Sequence, residues 1–288
     1  MGEETPQHKG IRKGLYLIPT AFTAANICMG FLAVIFSLRG FRIADKNVVL
    51  ASQNFDYAAI AIGLAILFDT LDGRLARMTR TTTELGVQLD SLADALTFGI
   101  APVTLLYGWA FGVSFPDGTS LNNIGLFALF VYLMCGVLRL ARFNLQATRP
   151  RILAEGTPKM DKKNFVGLPI PPAAGLIASI VHFHPVPLNS YGVGYAEFYS
   201  ILLILLSLAL GTLMVSTIKH TSFKNVGTGR NNIYLMIILG AAGMFIWLYS
   251  QIALLALSVT YVSHGIIWYL IGLFRGRPGK EPEMQPSE

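Results

Sequence analysis

Long apolar runs, each closed by a short polar stretch, recur along almost the whole chain. A helix needs about 20 predominantly apolar residues to cross the hydrocarbon core of a bilayer. Stretches of this kind fall at 15–38, 57–78, 85–109, 121–143, 171–183, 195–216, 233–249 and 252–274, the fifth being short. They predict an all-α integral membrane protein of about eight transmembrane helices. One membrane domain spans 15–274, between polar segments at 1–14 and 275–288. The first run is no cleavable signal peptide, because it is too long and lacks a small-residue cleavage site.

Composition agrees with the pattern. Hydrophobic residues make up 53% of the 288 and charged residues only 13%, about half the ~25% usual in a soluble domain. Cys28 and Cys135 both lie inside apolar runs, which argues against a zinc cluster or a redox pair. The net charge of +6 is explained by where it sits. All of the 22 Lys and Arg except Arg39, Arg42 and Lys46 fall in the tails, in alternate loops or at the helix ends beside those loops. Basic residues accumulate on the cytoplasmic side, so both termini are expected in the cytoplasm. No nucleic-acid partner is needed to account for the charge.

The 16 acidic residues are scarce, and four aspartates gather at the cytoplasmic ends of the second and third helices: Asp69, Asp72, Asp90 and Asp94. A lone carboxylate near hydrocarbon costs at least a few kcal/mol. Asp69 and Asp72, three apart, share one helix face, and Asp90 and Asp94, four apart, share another. The polar stretch 78–84 can turn the chain, with Thr82 or Thr83 capping the next helix. The hairpin so formed brings four like charges together, and they cannot all stay ionised unaided. Two divalent cations would neutralise them, and oxygen-only ligation suits magnesium or manganese. Paired metals serve displacement at phosphorus; small Gly73 and Ala76 leave room for a ligand, and Arg77 is placed to pair with phosphate oxygens. Two other readings stand beside this one: a salt-bridge belt with Arg74, Arg77 and Arg80, and a carboxylate-based cation transporter. Transport sites usually lie near the midplane, whereas these acids lie at helix ends.

The residues Asp69-Thr-Leu-Asp72-Gly73-Arg-Leu-Ala76-Arg77, followed by Gly86-Val-Gln-Leu-Asp90-Ser-Leu-Ala-Asp94, resemble the signature of the CDP-alcohol phosphatidyltransferase family, D-x-x-D-G-x-x-A-R, then G-x-x-x-D-x-x-x-D. Three further segments resemble its phosphatidylserine synthase branch: Gly136-Val-Leu-Arg139-Leu-Ala-Arg142-Phe-Asn144, Phe165-Val-Gly167-Leu-Pro169-Ile-Pro171-Pro172, and Leu213-Met-Val-Ser216 with Ser222-Phe-Lys224. The resemblance extends over about residues 10 to 275. It implies transfer of a phosphatidyl group from CDP-diacylglycerol to L-serine with release of CMP, at the cytoplasmic face of a prokaryotic cytoplasmic membrane. By motif position, Asp69, Asp72, Asp90 and Asp94 hold two ions, Mg2+ or Mn2+, and Asp94 is also the general base. Gly73, Ala76, Arg77 and Thr83 match positions that contact CDP-diacylglycerol, with Thr23 and Asn26 as further candidates.

The signature alone leaves the acceptor open among serine, inositol, glycerol phosphate and choline, and leaves open an archaeal ether-lipid donor. Serine carries a carboxylate, which needs a cationic partner. Arg139 and Arg142, three apart on an apolar helix, would clamp either that carboxylate or the donor's lipid phosphates, with Asn144 as a further polar contact. Snorkelling to the surface is the alternative. His182 and His184 fall on the far side and read as interfacial. The run Gly240-Ala-Ala-Gly243 suits close packing of helices or of a homodimer.

Overall fold

The computed structural model describes residues 9–79, 84–148, 164–216, 219–221, 244 and 248–274. Seven long helices carry the chain: α1 (Lys9–Ile43), α2 (Val48–Thr79), α3 (84–114), α4 (Ser120–Thr148), α5 (Ile170–Phe183), α6 (Val193–Val215) and α7 (Ser250–Phe274). They correspond to seven of the eight expected helices. The eighth, 233–249, lies almost wholly outside the described residues, as do Gly240–Gly243, residues 1–8 and residues 275–288. Two short strands, β1 (Asn164–Val166) and β2 (Lys219–Thr221), form an antiparallel ladder in which Asn164 pairs with Thr221. That ladder was not expected in an all-α chain.

Four described stretches are long and apolar enough to cross a membrane: Ala21–Ile43, Gly86–Ser114, Ser120–Leu145 and Val193–Val215. Phe31, Leu67, Phe127, Phe130, Leu205 and Leu257 all point outward and are more than half exposed. In water such a surface would drive association; against lipid it is the ordinary solvent-facing side of a multi-pass membrane protein. Packing inside the bundle then rests on close contact rather than on expulsion of water. Ala33, Ala51, Ala58, Ala61 and Ala65 are buried along α1 and α2, which pack extensively on each other. At Gly30 an added Cβ would lie 2.4 Å from Thr97 Oγ1, so a hydrogen is all that fits between α1 and α3.

Helix α2 begins nine residues earlier than the apolar pattern indicates. Asn47 caps it, accepting from the Leu50 amide at 3.0 Å. Asp56, just before the apolar run at 57–78, is paired within the bundle: its Oδ1 lies 2.5 Å from His182 Nδ1 on α5. The other ring nitrogen, Nε2, lies 2.9 Å from Ser250 Oγ at the start of α7. His182 is therefore a buried interhelical link and not an interfacial residue, whereas His184 is exposed and contacts Tyr191.

Helix α3 is not uniform. Ala95–Ile100 and Tyr107–Phe111 are π-helical turns, and the first starts directly after Asp94. Pro102 supplies a cause, since it has no N–H to give the Phe98 carbonyl four residues back and would clash with it in a regular helix. That carbonyl accepts from Tyr132 Oη of α4, at 3.1 Å. The wider turn changes the phase of α3 between its acidic end and its buried middle, where Phe98, Leu105 and Phe111 fill the core.

The segment before α5 is strapped to α6. The Leu168 amide donates to the Leu213 carbonyl at 3.0 Å. Gly167 sits at φ +83, where a Cβ would meet the Met214 carbonyl at 2.4 Å. Pro169 caps α5 and Pro171 follows in its first turn, a position where a missing N–H costs nothing.

Candidate active site

Only residues 80–83 separate α2 from α3, and the acidic ends of the two helices meet. Carboxylate oxygens of Asp69, Asp90 and Asp94 all lie within 4.8 Å of one another, and Asp69 and Asp94 are in hydrogen-bonding range. Asp72 is buried, at 6% exposure, and its Oδ2 accepts from Thr23 Oγ1 of α1. Sequence spacing thus groups all four aspartates, and the fold gathers three of them tightly with the fourth turned toward Thr23.

Among the described residues, none of the four forms an ion pair with a Lys or Arg. The belt reading therefore finds no support at Arg74, whose side chain is exposed; the Arg77 side chain and Arg80 lie outside the described residues. Asp94 Oδ1 is buried without a hydrogen-bond partner. A compact, all-oxygen, anionic donor set with an orphaned buried oxygen fits a hard divalent cation.

The two arginines separate. Arg139 is 9% exposed, its Nε has no partner, and its nearest charged neighbours include Asp94 and Arg142. Arg142 Nη1 donates to the Val215 carbonyl at 3.3 Å, at the C-terminal end of α6 where helix carbonyls are left over. Asn144 Nδ2 donates to Ser91 Oγ at 2.9 Å, and Ser91 in turn donates to the Val87 carbonyl at 3.0 Å. That pair fastens α4 to α3 between Asp90 and Asp94.

Gly73 is half-buried in α2 beside Asp72. The side chains of Ala76 and Arg77, and all of Thr83, lie outside the described residues. Asn26 is 1% exposed, and neither end of its amide has a partner. Its backbone carbonyl accepts from Thr97 Oγ1 at 3.4 Å. Sequence reasoning passed over Ser91, Thr97 and Tyr261, the last within electrostatic range of Arg139 from α7. Position Ser91 was open to inference from the motif, because it lies between two motif aspartates; Tyr261 carries no local signal.

Residues 16–215 match the family described as CDP-alcohol phosphatidyltransferase. A CDP-diacylglycerol–serine O-phosphatidyltransferase of Helicobacter pylori is 32% identical over 259 residues, covering 89% of this chain and 92% of that protein. The protein of the same description in Methanocaldococcus jannaschii is 34% identical over 211 residues, covering 73% and 83%. An archaetidylserine synthase of Methanothermobacter thermautotrophicus is 30% identical over 212 residues, covering 73% and 72%. With the aspartate hairpin, the family match across most of the chain and these relatives together, the chain belongs to the CDP-alcohol phosphatidyltransferase family.

Proposed function

We propose that the protein transfers the phosphatidyl group of CDP-diacylglycerol to the hydroxyl of L-serine, releasing CMP. The observation that carries this reading is the meeting of Asp69, Asp90 and Asp94 within 4.8 Å, with the buried Arg139, whose Nε has no partner, in electrostatic reach of Asp94. Two divalent cations, magnesium or manganese, held by Asp69, Asp72, Asp90 and Asp94, would neutralise the carboxylates and polarise the pyrophosphate. Everything else falls to the chain itself.

Serine's hydroxyl is a poor nucleophile, so a carboxylate within reach must take its proton as it attacks. Asp94, with its orphaned buried oxygen, is that base. The serine oxygen bonds to the phosphorus that carries diacylglycerol, and the bond from that phosphorus to the CMP oxygen breaks. CMP leaves with the electron pair. Arg139 pairs with the serine carboxylate, while Thr23 fixes Asp72 and the Asn144–Ser91 bond fixes the acidic face of α3. Gly73, Ala76, Arg77, Thr83 and Thr23 surround the CDP portion of the donor.

Eight spans over 15–274, with segments 1–14 and 275–288 in the cytoplasm, put the site at the cytoplasmic face of a prokaryotic membrane. The basic loops support that orientation. There CDP and serine arrive from water and the lipid tails stay in the bilayer. The archaetidylserine synthase among the relatives favours one second reading, the same transfer from an ether-lipid donor.

The test offers purified protein in lipid nanodiscs CDP-diacylglycerol or its ether analogue, manganese, and labelled serine, inositol, glycerol 3-phosphate or choline. Labelled lipid with stoichiometric CMP from serine supports the reading. CMP formed only with another alcohol reassigns the acceptor. No CMP with any alcohol removes the transferase reading and turns attention to cation flux.

A further inference from the structure

We infer that Asn26 is a specificity-determining residue, gripping the amino-acid end of the acceptor; this rests on the serine-transferase reading above. Buried polar groups are nearly always hydrogen-bonded, so an orphan asks for a reason. Asn26 is 1% exposed, yet both Nδ2 and Oδ1 lack partners. Two other orphaned buried atoms belong to the same region, Asp94 Oδ1 and Arg139 Nε. These groups come from α1, α3 and α4, so no single helix explains them.

Their levels in the bundle are set by contacts. Thr23 of α1 bonds Asp72. Asn26 lies one turn deeper, where its carbonyl meets Thr97, itself one turn beyond Asp94 on α3. Helix side chains lean toward the N-terminus of their own helix, which on α1 is the direction of the aspartates. Asn26 is therefore the floor of the carboxylate cluster, which sets it on the acceptor side and not among the CDP-diacylglycerol contacts to which motif position assigned it.

An unpartnered amide offers N–H donors and an acceptor oxygen side by side. Its complement is a ligand that presents an acceptor and a donor on adjacent groups. An α-amino acid does so: Oδ1 accepts from the ammonium, and Nδ2 donates to a carboxylate oxygen. Arg139 takes the other carboxylate oxygen and Asp94 faces the hydroxyl. Choline and glycerol phosphate have no ammonium N–H to give. The site thereby selects a hydroxy-amino acid among the alcohols.

The experiment measures KM for labelled serine and for CDP-diacylglycerol. It also measures Ki for 3-hydroxypropanoate, which lacks the ammonium, as a competitor of serine. Asn26→Leu should raise the serine KM about tenfold or more, the usual effect of removing a hydrogen bond to a charged group. The Ki for 3-hydroxypropanoate, which keeps only the carboxylate contact to Nδ2, should rise by less than the serine KM, and the donor KM should stay within twofold. Equal losses for serine and 3-hydroxypropanoate, or a rise in the donor KM instead, overturn the inference. If Asn26→Leu does not assemble, as judged by loss of its thermal shift with CDP, Asn26→Ser takes its place under the same criteria. If wild-type protein makes no lipid from serine, the transferase reading and this inference fall together. If it does and Asn26→Leu keeps the wild-type serine KM, only this inference falls.

Discussion

Tyr132 Oη donates to the Phe98 carbonyl at 3.1 Å, filling the hydrogen bond that Pro102 cannot make. Both side chains are fully buried, so removing the hydroxyl takes a hydrogen-bond donor from that carbonyl where water does not reach. Tyr132→Phe should cost about 1–3 kcal/mol, read as a Tm in detergent lower by several degrees. Pro102→Ala returns an N–H at the right place, and the double variant should recover most of the loss, a coupling expected only of residues that act on one group. An unchanged Tm for Tyr132→Phe would show that the carbonyl finds another donor.

At the opposite end of the bundle from the aspartate hairpin, Asp56, His182 and Ser250 link α2, α5 and α7 through contacts of 2.5 and 2.9 Å. His182→Ala leaves a carboxylate without its partner and frees the start of α7. The expected cost is about 1–3 kcal/mol. His184→Ala, at an exposed ring, should stay within about 0.5 kcal/mol of wild type. Thermal unfolding of the two variants side by side checks this; equal Tm values would remove the link's role in stability.

Much of this arrangement is readable from the residues. Spacings of three and four put the aspartates on two facing surfaces, and the polar stretch 78–84 announces the hairpin. Other features depend on partners far along the chain. Asp56 lies outside the apolar run at 57–78, and its partner His182 is 126 residues away. Arg139 and Arg142 look equivalent in sequence, and only the end of α6 distinguishes them, by taking one for its Val215 carbonyl. Asn26 gives no local sign that its amide will be buried without a partner. Pro102 was a visible signal for the π turn, since proline always frees a carbonyl four residues back in a helix.

The carboxylate cluster should bind manganese directly. In an electron paramagnetic resonance titration, the free-ion signal should be quenched by wild-type protein. Affinity follows the number of charged ligands, so Asp90→Asn should weaken binding about tenfold or more. Chelation should abolish CMP release, and added magnesium or manganese should restore it. Asp94→Asn should lower turnover about 100- to 10,000-fold, the range for loss of a general base, while binding of CDP-diacylglycerol survives. An Asp94→Asn protein that turns over normally would remove Asp94 as the base.

The separation of the two arginines predicts different phenotypes for two outwardly similar variants. Arg142→Ala removes the donor to the Val215 carbonyl and loosens the junction of α4 with the end of α6. It should lower Tm while leaving the serine KM within about threefold of wild type, because a net hydrogen bond is worth about 1 kcal/mol. Arg139→Ala removes a buried charge beside Asp94. It should raise the serine KM more than that of CDP-diacylglycerol, by about tenfold or more, as expected for loss of a charge-assisted contact to a carboxylate. Arg139→Lys should recover only part of the loss, since an ammonium cannot reproduce the guanidinium's paired donors. A larger rise in the donor KM would assign Arg139 to the lipid phosphates instead, and the serine carboxylate would then need another cation.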